Sequence, residues 1–165
     1  MISHNIPALA VYLKPGEVYL ADKPSVVTTV LGSCISVTMF SKRLKTGAIC
    51  HALLPEGSHD EAFRYVDGSI YYMLARLTSL GVTRRELEVK LFGGSDMLTS
   101  SENPAIKVGG RNIQVAKEVL IAEGLSLAKE DVGGLAGRKI LFHTHTGDVW
   151  LKRLRRGEIA ESDLR

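Results

Sequence analysis

Cys34 follows Gly32-Ser33, and His51 lies seventeen positions later in the run Gly47 to Leu54. A thiolate is a nucleophile, and an imidazole takes up a proton near neutral pH. A cysteine and a histidine are therefore the minimum parts of a cysteine nucleophile and its general base. Each has a bland counterpart. A free cysteine is usually a small apolar residue of the core, and a lone histidine in an apolar run is usually a satisfied core residue. Cys34 stands out because a glycine just before it lets backbone approach a ligand closely. If Cys34 opened a helical turn, free N–H groups there would favour its thiolate. Thr28, six residues before Cys34, shares a strand face with Val26 and Val30. A hydroxyl or carbonyl at that point could orient the imidazole, the third role in a catalytic triad. Thr28 and Thr29 also serve simply as β-branched strand formers.

Other groupings carry less. His143-Thr144-His145 puts two imidazoles on one strand face, but zinc needs three or four ligands and none completes the set. These read as exposed turn residues, and no metal or cofactor is expected. Gly93-Gly94-Ser95 and Gly109-Gly110-Arg111 lack the spacing of a phosphate loop and read as turns. Lys152-Arg153-Leu154-Arg155-Arg156 is short, interrupted and followed by acids, so it reads as a solvated face. A net charge of +3 calls for neither nucleic acid nor an anionic membrane as partner. The two cysteines, Cys34 and Cys50, make no disulfide framework, and no apolar run reaches membrane-spanning length. The expected setting is the cytoplasm, with both thiols reduced and no membrane insertion.

Positioning Cys34 and His51 falls to a scaffold rich in strands. The length fits one domain over residues 1–165, with 1–14 and 156–165 as peripheral termini. Strands are expected at Glu17 to Ala21, Val26 to Leu31, Gly47 to Leu54, Glu88 to Phe92 and Leu125 to Ala128. A hairpin is expected from Arg138 to Lys152 around Thr146-Gly147. Cys34 to Phe40 fits either a strand or a helical turn followed by a strand. Ser58-His59-Asp60-Glu61 has the pattern of a capping box, and Phe63, Val66, Ile70, Met73, Leu74, Leu77 and Leu80 then recur at helical spacing as far as Gly81. A second helix is expected from about Arg111 to Glu123, with Ile113, Ala116, Val119 and Leu120 inward and Gly124 at its end. The fold class is α/β, with mixed, largely antiparallel sheet layers flanked by helices.

The ordered set Thr28 to Cys34, His51, Leu54-Pro55, Lys90-Leu91-Phe92-Gly93-Gly94, Gly110-Arg111-Asn112, Asp131-Val132-Gly133-Gly134 and Gly137-Arg138-Lys139 resembles the CheD family, chemotaxis proteins that deamidate glutamines of chemoreceptors. The resemblance runs from about Glu17 to Leu154. It implies a nucleophile at Cys34, a base at His51 and an orienting threonine at Thr28. It also implies a fold similar to the catalytic domain of cytotoxic necrotizing factors. The implied partners are methyl-accepting chemoreceptors as substrates and a chemotaxis phosphatase of the CheC type. The stretch Phe142 to Gly147 departs from the family pattern, which more often has an aspartate after the strand. Backbone N–H groups at Ser33 and Cys34 are the expected oxyanion donors. Two other classes fit the same residues. One is a non-catalytic adaptor that binds receptors and a phosphatase. The other is a related thiol acyl enzyme, a glutamate methylesterase or a transglutaminase-like transferase.

Overall fold

A computed structural model describes residues 7–57, 63–96 and 107–155. In chain order the elements are β1 (Leu9–Tyr12), β2 (Val18–Leu20), β3 (Ser25–Leu31), β4 (Ile35–Ser41), β5 (Thr46–Cys50), α1 (Val66–Ser79), β6 (Leu87–Gly93), α2 (Val108–Ala122), β7 (Leu127–Val132), β8 (Gly137–His143) and β9 (Val149–Leu154). Two sheets result. The first has the order β1-β3-β8-β9 and the second β2-β5-β4-β6-β7. The pairs β1–β3 and β6–β7 are parallel, and all the others are antiparallel. The expected mixed, largely antiparallel α/β architecture is what forms.

Burial along the strands shows how the layers stack. Every residue of β4 is buried, so both of its faces are covered. In β3, Ser25, Val27, Thr29 and Leu31 are buried, while Val26 and Thr28 between them are only half-buried. One face of that strand therefore meets the core, and the other meets the surface. The hydrophobic clusters agree. Ile35, Val37 and Met39 of β4, with Ala48 and Cys50 of β5, pack against Val66, Ile70, Met73, Leu74 and Leu77 of α1 and Val115, Ala116, Val119 and Leu120 of α2. Cys34, Ile49 and Phe92 point the other way and pack against Leu13, Val27, Leu31, Ile140 and Phe142. The order is thus helices, five-stranded sheet, four-stranded sheet. At roughly 1.5–3 kcal/mol for each buried large apolar side chain, both interfaces contribute substantially to folding.

Several boundaries differ from the expectation. The capping-box residues lie outside the described residues, and α1 begins at Val66 behind Tyr65. It ends where Gly81 takes a φ of +87°, a left-handed conformation that glycine adopts without strain. Ile35 to Ser41 resolves as a strand with Cys34 just before it, so no helix starts at Cys34. The segment expected as a peripheral N-terminus contributes β1, and Leu13 beyond it is 2% exposed. Thr144, read as an exposed turn residue, is buried: its hydroxyl accepts from Ser25 N at 3.0 Å and lies 3.2 Å from Ser25 O as donor. No helix among the described residues is long and apolar enough to cross a membrane.

A buried guanidinium joins the sheets at the end nearest the site. Arg138 on β8 donates to Asp131 Oδ1 on β7 at 2.7 Å and to Gly133 O at 2.8 Å, and a longer contact reaches Gly93 O at 3.4 Å. Arg153 on β9 holds the other oxygen of Asp131 at 2.6 Å. Arg138→Met keeps the side-chain stem but leaves these acceptors without their donor. A loss of about 2–3 kcal/mol in unfolding free energy is expected from urea titration, and a loss below about 0.5 kcal/mol would mean that the staple carries no stability.

Candidate active site

Cys34 and His51 lie on the same face of the five-stranded sheet, the one that looks toward the four-stranded sheet, with no hydrogen bond between them. Their placement follows from the register of β4 against β5. Thr38 pairs with Ile49, and the ladder extends to a bridge between Ile35 and Ala52. Ser36 therefore lies across from His51, and Cys34 lies one step along the same face, diagonal to it. Diagonal neighbours on an antiparallel pair have Cα atoms about 7–8 Å apart, within reach of an imidazole. Cys50 faces the helices instead, where its sulfur accepts from Val37 N at 3.4 Å. Alternation along one strand separates these adjacent residues, one into packing and the other into the site.

The backbone of His51 is fixed on both sides, with His51 N donating to Glu17 O at 3.0 Å and Gly16 N donating to His51 O at 2.8 Å. The ring is held from the opposite sheet. Thr29 Oγ1 lies 2.7 Å from His51 Nδ1 and 2.8 Å from Leu13 O. Counting protons assigns the roles. Leu13 O can only accept, so the single hydroxyl proton of Thr29 goes to it. Thr29 Oγ1 must then accept from an N–H on His51 Nδ1. The other ring nitrogen, Nε2, is left with its lone pair, which is the form a general base needs. Nε2 is buried and has no hydrogen-bond partner among the described residues. Such an orphan ordinarily costs about 1–3 kcal/mol.

The structure thus puts Thr29, not Thr28, at the imidazole. Thr28 has the opposite pleat parity. It lines a surface depression of about 580 Å³ on the outer face of the four-stranded sheet, with Ala10, Tyr12, Val30, Lys139 and Leu154. The sequence gives little help in choosing between them, because Val26, Val27, Val30 and Leu31 make both faces of β3 apolar.

The turn at Gly32-Ser33-Cys34 is held by three successive carbonyls. Gly32 O accepts from Ser95 N at 3.0 Å, Ser33 O from Asn112 Nδ2 at 3.0 Å, and Cys34 O from Gly94 N at 2.9 Å. Gly93, with φ +102°, lies so close to Cys34 O that any Cβ there would collide with it. The pair read as a plain turn is what lets β6 approach the nucleophile. Neither Ser33 N nor Cys34 N donates to another residue among the described residues. Asn112 and Gly94 entered the sequence reading of the site only as parts of the family motifs and Leu13 not at all, since what each bonds with, or as, here is a backbone carbonyl.

Burial sets the protonation states. Cys34 is 4% exposed, and desolvation pushes its thiol up to about 11, partly offset by its own backbone N–H. His51 is 1% exposed, and desolvation lowers it to about 4. Burial thus disfavours a resting thiolate–imidazolium pair. At neutral pH both groups are uncharged. Among the described residues, no three His, Cys, Asp or Glu side chains gather to hold a metal. The histidines of the β8–β9 hairpin, His143 and His145, have ring centres 6.3 Å apart and lie beside the exposed Trp150.

The sequence profile of one family, CheD chemotactic sensory transduction, matches residues 53–153. Full-length comparisons reach further. The protein named probable chemoreceptor glutamine deamidase CheD 2 of Geobacter sulfurreducens is 61% identical over 149 residues, covering 90% of this chain and 92% of its own. The probable chemoreceptor glutamine deamidase CheD of Maridesulfovibrio salexigens is 46% identical, with 87% of this chain and 91% of its own covered. A protein of the same name from Thermococcus kodakarensis is 36% identical, over 89% of this chain and 94% of its own. The first match is long enough to span both Cys34 and His51 wherever it begins.

Two measurements check this geometry. Alkylation of Cys34 by iodoacetamide should keep rising as pH increases from 6 to 10, because the thiol titrates near 11. A plateau across pH 5–8 would show a preformed thiolate–imidazolium pair instead. Thr29→Val should lower catalytic turnover about a hundredfold by freeing the ring, the lower end of what acid–base catalysis supplies. Thr28→Val should stay within about threefold of the native protein, as expected for a residue outside the acid–base machinery. Reversal of that order would return the orienting role to Thr28.

Proposed function

The chain belongs to the CheD family, and from that and the geometry around Cys34 we propose that it is a cysteine hydrolase that deamidates glutamine side chains of chemoreceptors to glutamate, releasing ammonia. The observation that carries the reading is the lone pair on His51 Nε2. It is set by the Thr29–Leu13 hydrogen bonds and faces the same inter-sheet layer as Cys34.

The reaction runs on the chain's own groups. Cys34 Sγ attacks the carboxamide carbon as its proton passes to His51 Nε2. The resulting oxyanion takes hydrogen bonds from the peptide N–H groups at Ser33 and Cys34, which have no other acceptor among the described residues. His51, now protonated, gives its proton to the departing nitrogen, because an unprotonated amide nitrogen is a very poor leaving group. Ammonia leaves and a thioester remains. His51 Nε2 then takes a proton from water as that water attacks the thioester carbon, and the thiol recovers its proton. The receptor gains one negative charge where it had a neutral amide, which alters the side-chain pairs available on a helix surface.

The resting thiol suits this sequence. Attack by a neutral thiol with concerted proton transfer avoids holding two charges in a dry layer, where separating them costs several kcal/mol per ion. The cytoplasm is the compartment this reading requires, since both free cysteines stay reduced there. A CheC-type phosphatase belongs to the same reading as a partner and is carried by the family resemblance alone.

Purified protein incubated with receptor cytoplasmic fragments should convert specific glutamines to glutamate, read by peptide mass spectrometry. Cys34→Ala should abolish conversion, and Cys50→Ala, whose sulfur packs against the helices, should retain it. Unchanged glutamines across all receptors of the source organism, or full conversion by Cys34→Ala, would end this reading.

A further inference from the structure

Asn112 sits near the start of α2 and is fully buried, yet it touches the nucleophile's turn rather than only the helix's packing partners. Its Nδ2 donates one proton to Ser33 O and the other to Leu53 O, each at 3.0 Å. These two carbonyls flank the site: Ser33 precedes the nucleophile, and Leu53 follows the base by two residues. Both lie where the ladder between β4 and β5 has run out. Its last bridge is Ile35–Ala52, and beyond it Leu53 N and Leu54 N turn aside to Arg64 O. An asparagine amide supplies the two donors that the missing ladder rungs would have provided.

The consequence is directional. The described chain has no cis peptide, so the Ser33–Cys34 unit is trans. In a trans peptide the C=O and N–H of the same plane point in opposite directions. Asn112 draws Ser33 O toward the helices. Cys34 N–H is therefore aimed the opposite way, away from Asn112. That N–H bonds to no other residue among the described residues, and it faces its own sulfur closely enough to favour the thiolate. A donor beside the attacking sulfur lies where the oxygen of a tetrahedral adduct must form.

We propose that Asn112 is a positioning residue for acyl transfer, fixing the Ser33–Cys34 peptide plane so that Cys34 N–H points at the developing oxyanion. The inference rests on the reading of Cys34 as an acyl-transfer nucleophile but not on the identity of its substrate. No other side chain of similar size fits the role. Aspartate would turn an oxygen toward two carbonyls, and leucine would offer neither a proton.

The test compares two reactions of the same thiol. p-Nitrophenyl acetate acylates Cys34: the S–C bond forms through a tetrahedral oxyanion, p-nitrophenolate leaves, and the thiol proton passes to His51. Iodoacetamide alkylates Cys34 by direct displacement of iodide, with no oxyanion. Both reactions use the same sulfur and both need it deprotonated, but only acylation needs an oxyanion donor, so their ratio at one pH reports on that donor. Asn112→Ala should lower the ratio of acylation to alkylation ten- to a hundredfold, since loss of one oxyanion donor costs about 10²–10³. Asn112→Asp keeps the shape and carries the same test if Asn112→Ala does not fold. A ratio within twofold of the native value, or native protein that is alkylated at Cys34 but never acylated, would overturn the inference. If the ratio falls while native protein leaves receptor glutamines unchanged, the positioning role stands and the receptor substrate is wrong.

Discussion

The hydrogen bond between Thr29 and His51 spans the two sheets, and the site exists only where those sheets meet. A histidine pressed between two sheets could adopt either tautomer and several ring orientations. One hydroxyl removes that freedom because it is itself committed. Its proton goes to Leu13 O, so it can only accept from the ring. The choice of base atom thus depends on a carbonyl in the N-terminal segment, on a strand of one sheet and on the end of a strand in the other. Each must be placed to within a few tenths of an ångström for the chain of hydrogen bonds to close. The apolar contacts of Leu13, Val27, Leu31, Ile49 and Phe142 hold that spacing. Packing is therefore part of the acid–base apparatus.

Desolvation then decides how the apparatus rests. An exposed cysteine and histidine would titrate within a few units of each other. Burial in one layer drives the thiol up and the imidazole down, because each environment resists its own charged form. The result is a neutral pair that is inert until an electrophile arrives. This has a stability consequence of fixed sign. Between the unfolded histidine value near 6.5 and the folded value near 4, the unfolded chain binds the extra proton, so stability falls as pH drops through that window. The same buried placement that spares the thiol from stray chemistry makes the fold sensitive to acid.

Much of this was legible beforehand, and the failures have physical causes. Cys34 and His51 could be singled out because their side chains do chemistry that few residues can. Most of the strands and both helices followed from β-branched runs and three- and four-residue apolar spacing, while β1 did not. What pattern could not supply was parity. Thr28 and Thr29 differ only in which way the pleat throws the side chain, and both faces of β3 carry valines. Sequence alone gave no phase to β3, and its phase comes from pairing with β8, where Thr29 lies opposite Ile140 and so turns inward. Leu13 was hidden for a different reason. Its part is played by a backbone carbonyl, which every residue has, so its identity carried no signal. The neutral resting pair was equally invisible, since a pKa depends on how much water the fold excludes.

The turn at the nucleophile shows the same logic at its tightest. Three successive carbonyls, of Gly32, Ser33 and Cys34, are each taken by a donor from elsewhere: a backbone N–H of Ser95, a side chain of α2 and the N–H of Gly94. Of the adjoining N–H groups, Ile35 N donates to Ala52 O, while those of Ser33 and Cys34 bond to no other residue among the described residues, and free donors beside a sulfur are what an acyl-transfer site needs. The segments that do the holding come from all over the chain and belong to no single motif. Gly93 and Gly94 lack side chains because β6 must pass against Cys34 O on one side and Ile113 and Gly109 on the other. Arg138 reaches in from the four-stranded sheet toward Gly93 O and so ties that crossing to the inter-sheet staple. The residues that set reactivity here are therefore spread well beyond those that touch the reacting atoms.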